Sequence, residues 1–337
     1  MVDPTRRIFT SWLAATAAGA LPASAWAQAA RPAPAAAAAA ATAAAIPRLR
    51  IVIPANEGGG WDQTGRALGA ALIAAGAVGQ IEYENVGGKG GTIGLARYVE
   101  KYDADPDTLL MSGMVMVGAV ALQKPPVDMS RIAPVARLTS DYEMVVVKSD
   151  SPIKTAKDLI AKMRAEPTSA AIAGGSAGGV DHMFAGLLAR AAGNTAALVY
   201  QPFPGGAQVV SAVESGQAVA GISGYSEFSE HIASGKLRAI GVSSKSPFQG
   251  IPSVRQQGVD ADLANWRGVF TGRAVPPQRQ AALLEAVRRA VATDAWQKTI
   301  KRSNWDSYWM EGKDFKSFLE LDVATAGVLT YILKLKA

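Results

Sequence analysis

Twice in this chain a short apolar run stops at a cluster of glycines and resumes as an amphipathic stretch with helical spacing. The first case is Leu49–Pro54, then Asn56-Glu57-Gly58-Gly59-Gly60-Trp61-Asp62, then apolar Ala67, Leu68, Ala71 and Leu72. The second is Ser169–Ala173, then Gly174-Gly175-Ser176-Ala177-Gly178-Gly179, then Asp181–Ala192. A switch from a β-rich run to a 3.6-residue period specifies strand, turn, helix. Clustered glycine permits positive-φ backbone that a side chain resists, and Gly59 is expected to take it. The N–H groups that open each helix then point outward at the positive end of its dipole, where an anion is stabilised. Open α/β sheets place ligands at such turns. Neither cluster continues as Gly-Lys-Ser/Thr, so neither is a phosphate-binding P-loop. Ser176 adds a hydroxyl donor, and Asp181 suits a helix cap as well as a ligand contact.

The same alternation runs through most of the chain and predicts α/β units around largely parallel sheets. Strands are expected at Gln80–Glu84 and Thr108–Ser112, and an apolar run at Val115–Leu122. A second unit begins with Glu143–Lys148 and continues through strands at Ala197–Gln201, Ala218–Ile222 and Arg238–Ser243. Two further glycine turns, Phe203–Gly206 and Ser223-Gly224-Tyr225-Ser226, also follow strands. The tail, with a strand at Trp266–Thr271 and helices at Pro277–Thr293, Trp296–Lys301 and Asp314–Leu333, is too helical to stand as a third α/β unit. It is expected to fold back on the first. The chain then crosses between two lobes twice, near Asp141–Val147 and near Val242–Pro247, and such a double hinge suits closure on a ligand.

The N-terminus reads as an address. Thr5-Arg6-Arg7-Ile8-Phe9 precedes a mildly apolar stretch ending Ala25-Trp26-Ala27, the pattern of a cleaved twin-arginine export signal. A membrane span would need about 20 continuous apolar residues. The Ala/Pro-rich stretch that follows reads as a tether. The expected divisions are therefore 1–27 signal, 28–46 tether, 47–143 with 245–337 as lobe 1, and 144–244 as lobe 2, with the mature protein in the periplasm.

Among its 337 residues the chain has no Cys and two His, which excludes disulfide scaffolds, thiolate metal sites and a His-rich metal centre. No metal and no cofactor are expected. The formal net charge is +6, but the Lys and Arg are scattered rather than striped with aromatics, so nucleic acid is not an expected partner. A small anion fits better. Gly174-x-Ser176-x-Gly178 matches a nucleophile elbow, with His231 as a candidate base, so a serine hydrolase is the alternative. No acid in a strand-end loop and no oxyanion segment accompany it. Gly88 and Gly90 begin a dinucleotide-type pattern that fails at Ile93.

The GGGWDQTGRAL segment resembles the receptors of tripartite tricarboxylate transporters, a class of Bug-type periplasmic solute-binding proteins. YENVGGKGGTIGLA, PVARLTSDYEMVVV, AGGSAGGVDHMFAGL, PFPGGAQ, GISGYSEFSEHIASGKLRAIGVSS and LANWRGVF extend the likeness in order from about Arg48 to the C-terminus. The resemblance implies a two-lobed α/β periplasmic-binding-protein-like fold (type II, Venus flytrap) with two crossover hinge strands and no enzymatic activity. It implies a small carboxylate, citrate-like or a related dicarboxylate or aromatic acid, held between the lobes. First-lobe contacts would be Gly58, Gly59, Gly60, Trp61 and Asp62, and second-lobe contacts Gly175, Ser176, Ala177 and Gly178 with Asp181 and His182 nearby. Met114 and Val115 would floor the site, and Ser223 and Tyr225 would touch the distal end of the ligand. The implied partner is a membrane permease of one large and one small subunit, with the receptor a monomer; a sensor role without transport is the variant of this reading.

Overall fold

A computed structural model describes residues 46–335. The export segment and tether expected in 1–46 lie outside them, apart from Ile46, which opens the first strand. That strand, β1 (Ile46–Ile53), seals Leu49, Ile51, Val52 and Ile53 completely. Adjacent residues buried on both faces mark a strand inside a sheet covered on two sides. It pairs in parallel with β2 (Val78–Asn85) and β3 (Thr108–Gly113). The helices α1 (Gly60–Ala74) and α2 (Thr92–Tyr102) connect these strands, and α3 (Met114–Gln123) follows the third.

The chain then runs through β4 (Ile132–Asp141), spends one residue at Tyr142, and enters β5 (Glu143–Lys148) of a second sheet. That sheet contains β6 (Ile172–Gly174), β7 (Tyr200–Pro202), β8 (Ala220–Gly224) and β9 (Leu237–Val242) in the order β7-β6-β8-β5-β9. Its helices are α4 (Ala156–Ala165), α5 (Val180–Ala191), α6 (Gly206–Glu214) and α7 (Tyr225–Ala233). Side chains of β5 alternate strictly. Val145 and Val147 enter one core with Phe184, Leu188 and Ile222, while Met144 and Val146 enter another with Val209 and Phe228. The period of two places an apolar layer on each face.

Residues 243–264 lead back to β10 (Asn265–Gly272), followed by α8 (Pro277–Val291), α9 (Asp294–Ser303), β11 (Asp306–Glu311) and α10 (Gly312–Ile332). The first sheet has the order β11-β4-β10-β3-β1-β2. The tail does return to it: β10 lies between β3 and β4, and Trp266, Phe270 and Phe315 belong to its core. Both sheets are mixed, which corrects the expectation of largely parallel ones. The returning β10 is antiparallel to β3 and β4, and β5 is antiparallel to β8 and β9. A strand arriving from the opposite sheet enters from the opposite end.

One element reaches both cores. Leu319 and Ala326 of α10 are buried with the first sheet, whereas Leu333, just past the helix end, is fully buried with the second. Leu329 and Leu335 touch both cores. Among the described residues no helix is long and apolar enough to cross a membrane.

Candidate site at two glycine turns

The two glycine turns are copies of one device. Gly58 and Gly178 both sit at φ +81°, the left-handed region. The next residue is extended in each: Gly59 at φ −71°, ψ 166° and Gly179 at φ −68°, ψ 179°. Positive φ therefore falls at Gly58, one residue before the expected Gly59. The N–H of each left-handed glycine donates four residues ahead, Gly58 to Asp62 Oδ2 at 2.9 Å and Gly178 to His182 Nδ1 at 3.0 Å. Gly59 N–H donates to Asn56 O at 3.3 Å and Gly179 N–H to Ser176 O at 2.9 Å. The helical ladders begin with Gln63 N–H on Gly59 O at 2.9 Å and Met183 N–H on Gly179 O at 3.0 Å. The N–H groups of residues 60–62 and 180–182 are left without an intrahelical acceptor.

In each turn the third helical side chain acts as a scaffold. Asp62 is buried and also accepts from Arg66 Nε at 2.9 Å and Asn85 Nδ2 at 2.9 Å. Burial works to raise its pKa, but the Arg66, Gly58 and Asn85 donors prevail and hold it below the usual carboxylate range. His182 is buried and stacks on Tyr200 with ring centroids 4.1 Å apart. Burial pushes its pKa down to about 4, so it is the neutral ring that accepts from Gly178. Asp181 accepts from Gly175 N–H at 2.6 Å, and Tyr200 OH donates to Gly175 O at 2.7 Å. Thus Asp62, Asp181 and His182 shape the turns from beneath, while Gly58, Gly59, Gly60, Gly175, Ser176 and Ala177 stay exposed or half-buried.

The remaining expected residues separate. Trp61 is buried against Gly91, and Met114 is core. Val115 packs on Gly179, and Gly118 of the same helix meets the Gly178 carbonyl, so α3 of the first sheet touches the second turn directly. Ser223 Oγ is committed to Glu227 Oε2, and Tyr225 packs edge-on against Phe248. These two lie at the β8–α7 junction, and no hydrogen bond among the described residues joins them to either glycine turn.

Four residues beneath the turns escaped the sequence reading. Arg267, in the middle of β10, is buried behind Gly60, where a Cβ would come within 2.7 Å of its Nη2. Its Nη2 pairs with Asp141 Oδ2 at 3.0 Å, at the end of β4. Burial pushes the Asp141 pKa up to about 6 against the pull of Arg267. Two residues before Arg267, and on the same face of the strand, Asn265 Nδ2 donates to Glu143 Oε1 at 2.9 Å. Glu143 is fully buried at the start of β5. Charged residues inside apolar strands (NWRGVF and SDYEMVVV) were the available signal, since such residues are almost never buried unpaired.

The hydrolase alternative finds no assembled geometry. His231 Nδ1 lies 4.0 Å from Glu214, and no hydrogen bond joins either histidine to Ser176 among the described residues. A cavity of about 270 Å³ lined by Lys157, Ile160, Arg164 and Gly258 shares no residue with either turn. No cluster of His, Asp and Glu among the described residues suits a metal ion.

Comparison with known proteins gives concordant matches. The family model described as the tripartite tricarboxylate transporter family receptor matches residues 70–335, which leaves the first glycine turn just ahead of the matched stretch. Protein BugT of Bordetella pertussis is 27% identical over 257 residues, 73% of this chain and 77% of that protein. MatC of Rhodopseudomonas palustris, solved with bound malate, superposes with a TM-score of 0.72 at 20% identity, covering 84% of this chain and 98% of its own. Another R. palustris protein, solved with adipate, gives a TM-score of 0.77 at 20% identity over 86% of this chain and 98% of its own.

Proposed function

The chain belongs to the tripartite tricarboxylate transporter family receptors, and from that premise we propose that it captures a small carboxylate between its two glycine turns. The observation that carries the reading is the duplication of the turn. Each copy offers a row of unpartnered N–H groups at a helix start, backed by side chains that leave them free. On one side Gly60, Trp61 and Asp62 would bind through their free backbone N–H groups, while Gly58 and Gly59, expected as contacts, spend their N–H groups on Asp62 and Asn56 and shape the turn instead. On the other, Ser176, Ala177 and residues 180–182 would do so through theirs, with the Ser176 hydroxyl, while the Gly175 and Gly178 N–H groups are held by Asp181 and His182. Several charge-assisted bonds of about 1.5–3 kcal/mol each suffice for micromolar binding, near −8 kcal/mol, after closure costs.

Malate and adipate in two neighbours of the same fold support dicarboxylates of four to six carbons; citrate is the tricarboxylate counterpart. On this reading the lobes are 47–143 with 245–337 and 144–244. They rotate about the passages at Tyr142 and 243–264 and deliver the acid, in the periplasm, to a permease of one large and one small membrane subunit. The test is calorimetric titration with malate, adipate and citrate, with melting temperature in parallel. Binding of at least one acid, weakened by Ser176→Ala with folding intact, is expected. No heat and no stabilisation from any of the three would overturn the reading.

A further inference from the structure

We propose that Glu227 sets the charge of the ligand: its carboxylate closes the starts of α6 and α7, so the second sheet seats one ligand carboxylate, and the protein takes dicarboxylates in preference to tricarboxylates. This rests on the receptor reading above. Strands β7, β6 and β8 run parallel side by side, so α6, α5 and α7, which follow them, all begin at one edge of the second sheet. Their turns adjoin. Phe203 N–H, ahead of α6, donates to Gly174 O at 2.8 Å, and on the other side Ala173 stands opposite Gly221 of β8. Three helix starts in a row, left to their dipoles, form a broad seat for negative charge.

The three starts are not alike. Asp181, in the first turn of α5, aims its carboxyl back at Gly175 N–H, 2.6 Å away and ahead of the helix. The N–H groups of residues 180–182 stay without an intrahelical acceptor. Glu227 does the opposite. From the first turn of α7 its Oε2 accepts from the Ser223 hydroxyl, and its Oε1 reaches across to accept from Gly206 N–H at 3.3 Å, the first residue of α6. Helix α6 has no acid of its own in its first turn. Glycine at 206 permits the approach, since a Cβ there would come within 2.7 Å of Glu227 Cβ. One carboxylate therefore covers two helix starts. Its partners are an N–H and a hydroxyl, and among the described residues no Lys or Arg pairs with it.

A dicarboxylate spans from residues 180–182 to the N–H groups of residues 60–62. A third carboxylate directed along the edge toward α6 or α7 meets a like charge where free N–H groups would otherwise stand, and like charges in juxtaposition are how a site rejects a ligand. The test is calorimetric titration at pH 8, where every carboxyl of each acid is ionised. The probes are citrate and hydroxymethylglutarate, which is citrate with a methyl group in place of its central carboxylate; malate and adipate are the references. Wild type is expected to bind hydroxymethylglutarate at least about tenfold more tightly than citrate. Glu227→Gln keeps the length and an acceptor for Gly206 N–H but drops the charge. It should tighten citrate binding by about fivefold or more and move malate and adipate by less than about twofold, with the melting temperature near wild type. Wild type binding citrate as tightly as hydroxymethylglutarate overturns the proposal, and so does an unchanged citrate affinity in folded Glu227→Gln. Should the variant not fold, the wild-type ratio decides alone. Failure of all four acids to bind wild type strikes the receptor reading and this proposal with it, an outcome distinct from a receptor that prefers citrate.

Discussion

Gly58 and Gly178 carry the backbone conformation on which both turns depend. A side chain at φ +81° costs about 1–2 kcal/mol in backbone strain, although a Cβ there meets open space, and relief of that strain would turn the Gly58 N–H away from Asp62. Gly58→Val should therefore weaken carboxylate binding at least tenfold, whereas Gly59→Ala, in ordinary extended backbone, should be far milder. Calorimetry on the two variants checks this; the reverse ranking would show that the left-handed residue is not what shapes the site. The glycine clusters were legible because glycine in series has few other uses. Which member turns left-handed was not, because three adjacent glycines look alike until a partner such as Asp62 selects one. Arg267, Asp141, Asn265 and Glu143 were illegible as a group. Each is separated in sequence from its partner by over a hundred residues, and only the pairing of β10 with β4 brings them together.

Helix α3 is the element that joins the first sheet to the second turn. Gly118 there lies so close to the Gly178 carbonyl that an added methyl group would collide with backbone. Gly118→Ala should push α3 and the turn apart and reduce affinity several-fold. Helix propensity alone favours alanine by about 1 kcal/mol, so a melting temperature near wild type with weaker binding is the expected signature. Unchanged affinity would mean the contact plays no part in holding ligand. Most strands and helices followed from periodicity, but β4 and β11 did not. The sequence of β4 (IAPVARLTSD) carries Pro134 and Arg137, and its pairing with β10 slips twice, so no clean alternation survives. At the sheet edge, β11 has three exposed residues in its first half, and the residues it packs on the core, Trp309 and Met310, are adjacent rather than alternate.

At the scale of the whole molecule, the buried pair Arg267–Asp141 joins β10 to the end of β4 in the first sheet, where the chain leaves for the second. Removing one partner of such a pair typically costs about 3–5 kcal/mol, because the other charge is left in a dry interior. Arg267→Met should therefore melt well below wild type at pH 8. The folded-state pKa of Asp141 is raised, to about 6, and would rise further without the guanidinium. A raised acid pKa means stability that is present at low pH and lost as pH increases through that value. The gap between variant and wild type should thus narrow toward pH 5 in thermal melts; a constant gap would argue that Asp141 is not the group stranded.

The burial of Leu333 in the second core, at the far end of a helix whose body lies on the first, makes α10 a third mechanical link beside the two strand passages. On the proposed closure, two links would define a pivot and a third would act as a stop that limits how far the jaws swing. Each excursion would then stretch or peel the leucine-bearing end, and part of the opening work would be stored in that anchor. Leu333→Ala loosens it at a cost of about 2–5 kcal/mol, and small-angle scattering of the ligand-free protein should then report a larger radius of gyration. An unchanged radius would mean that the end of α10 rides passively with whichever jaw carries it.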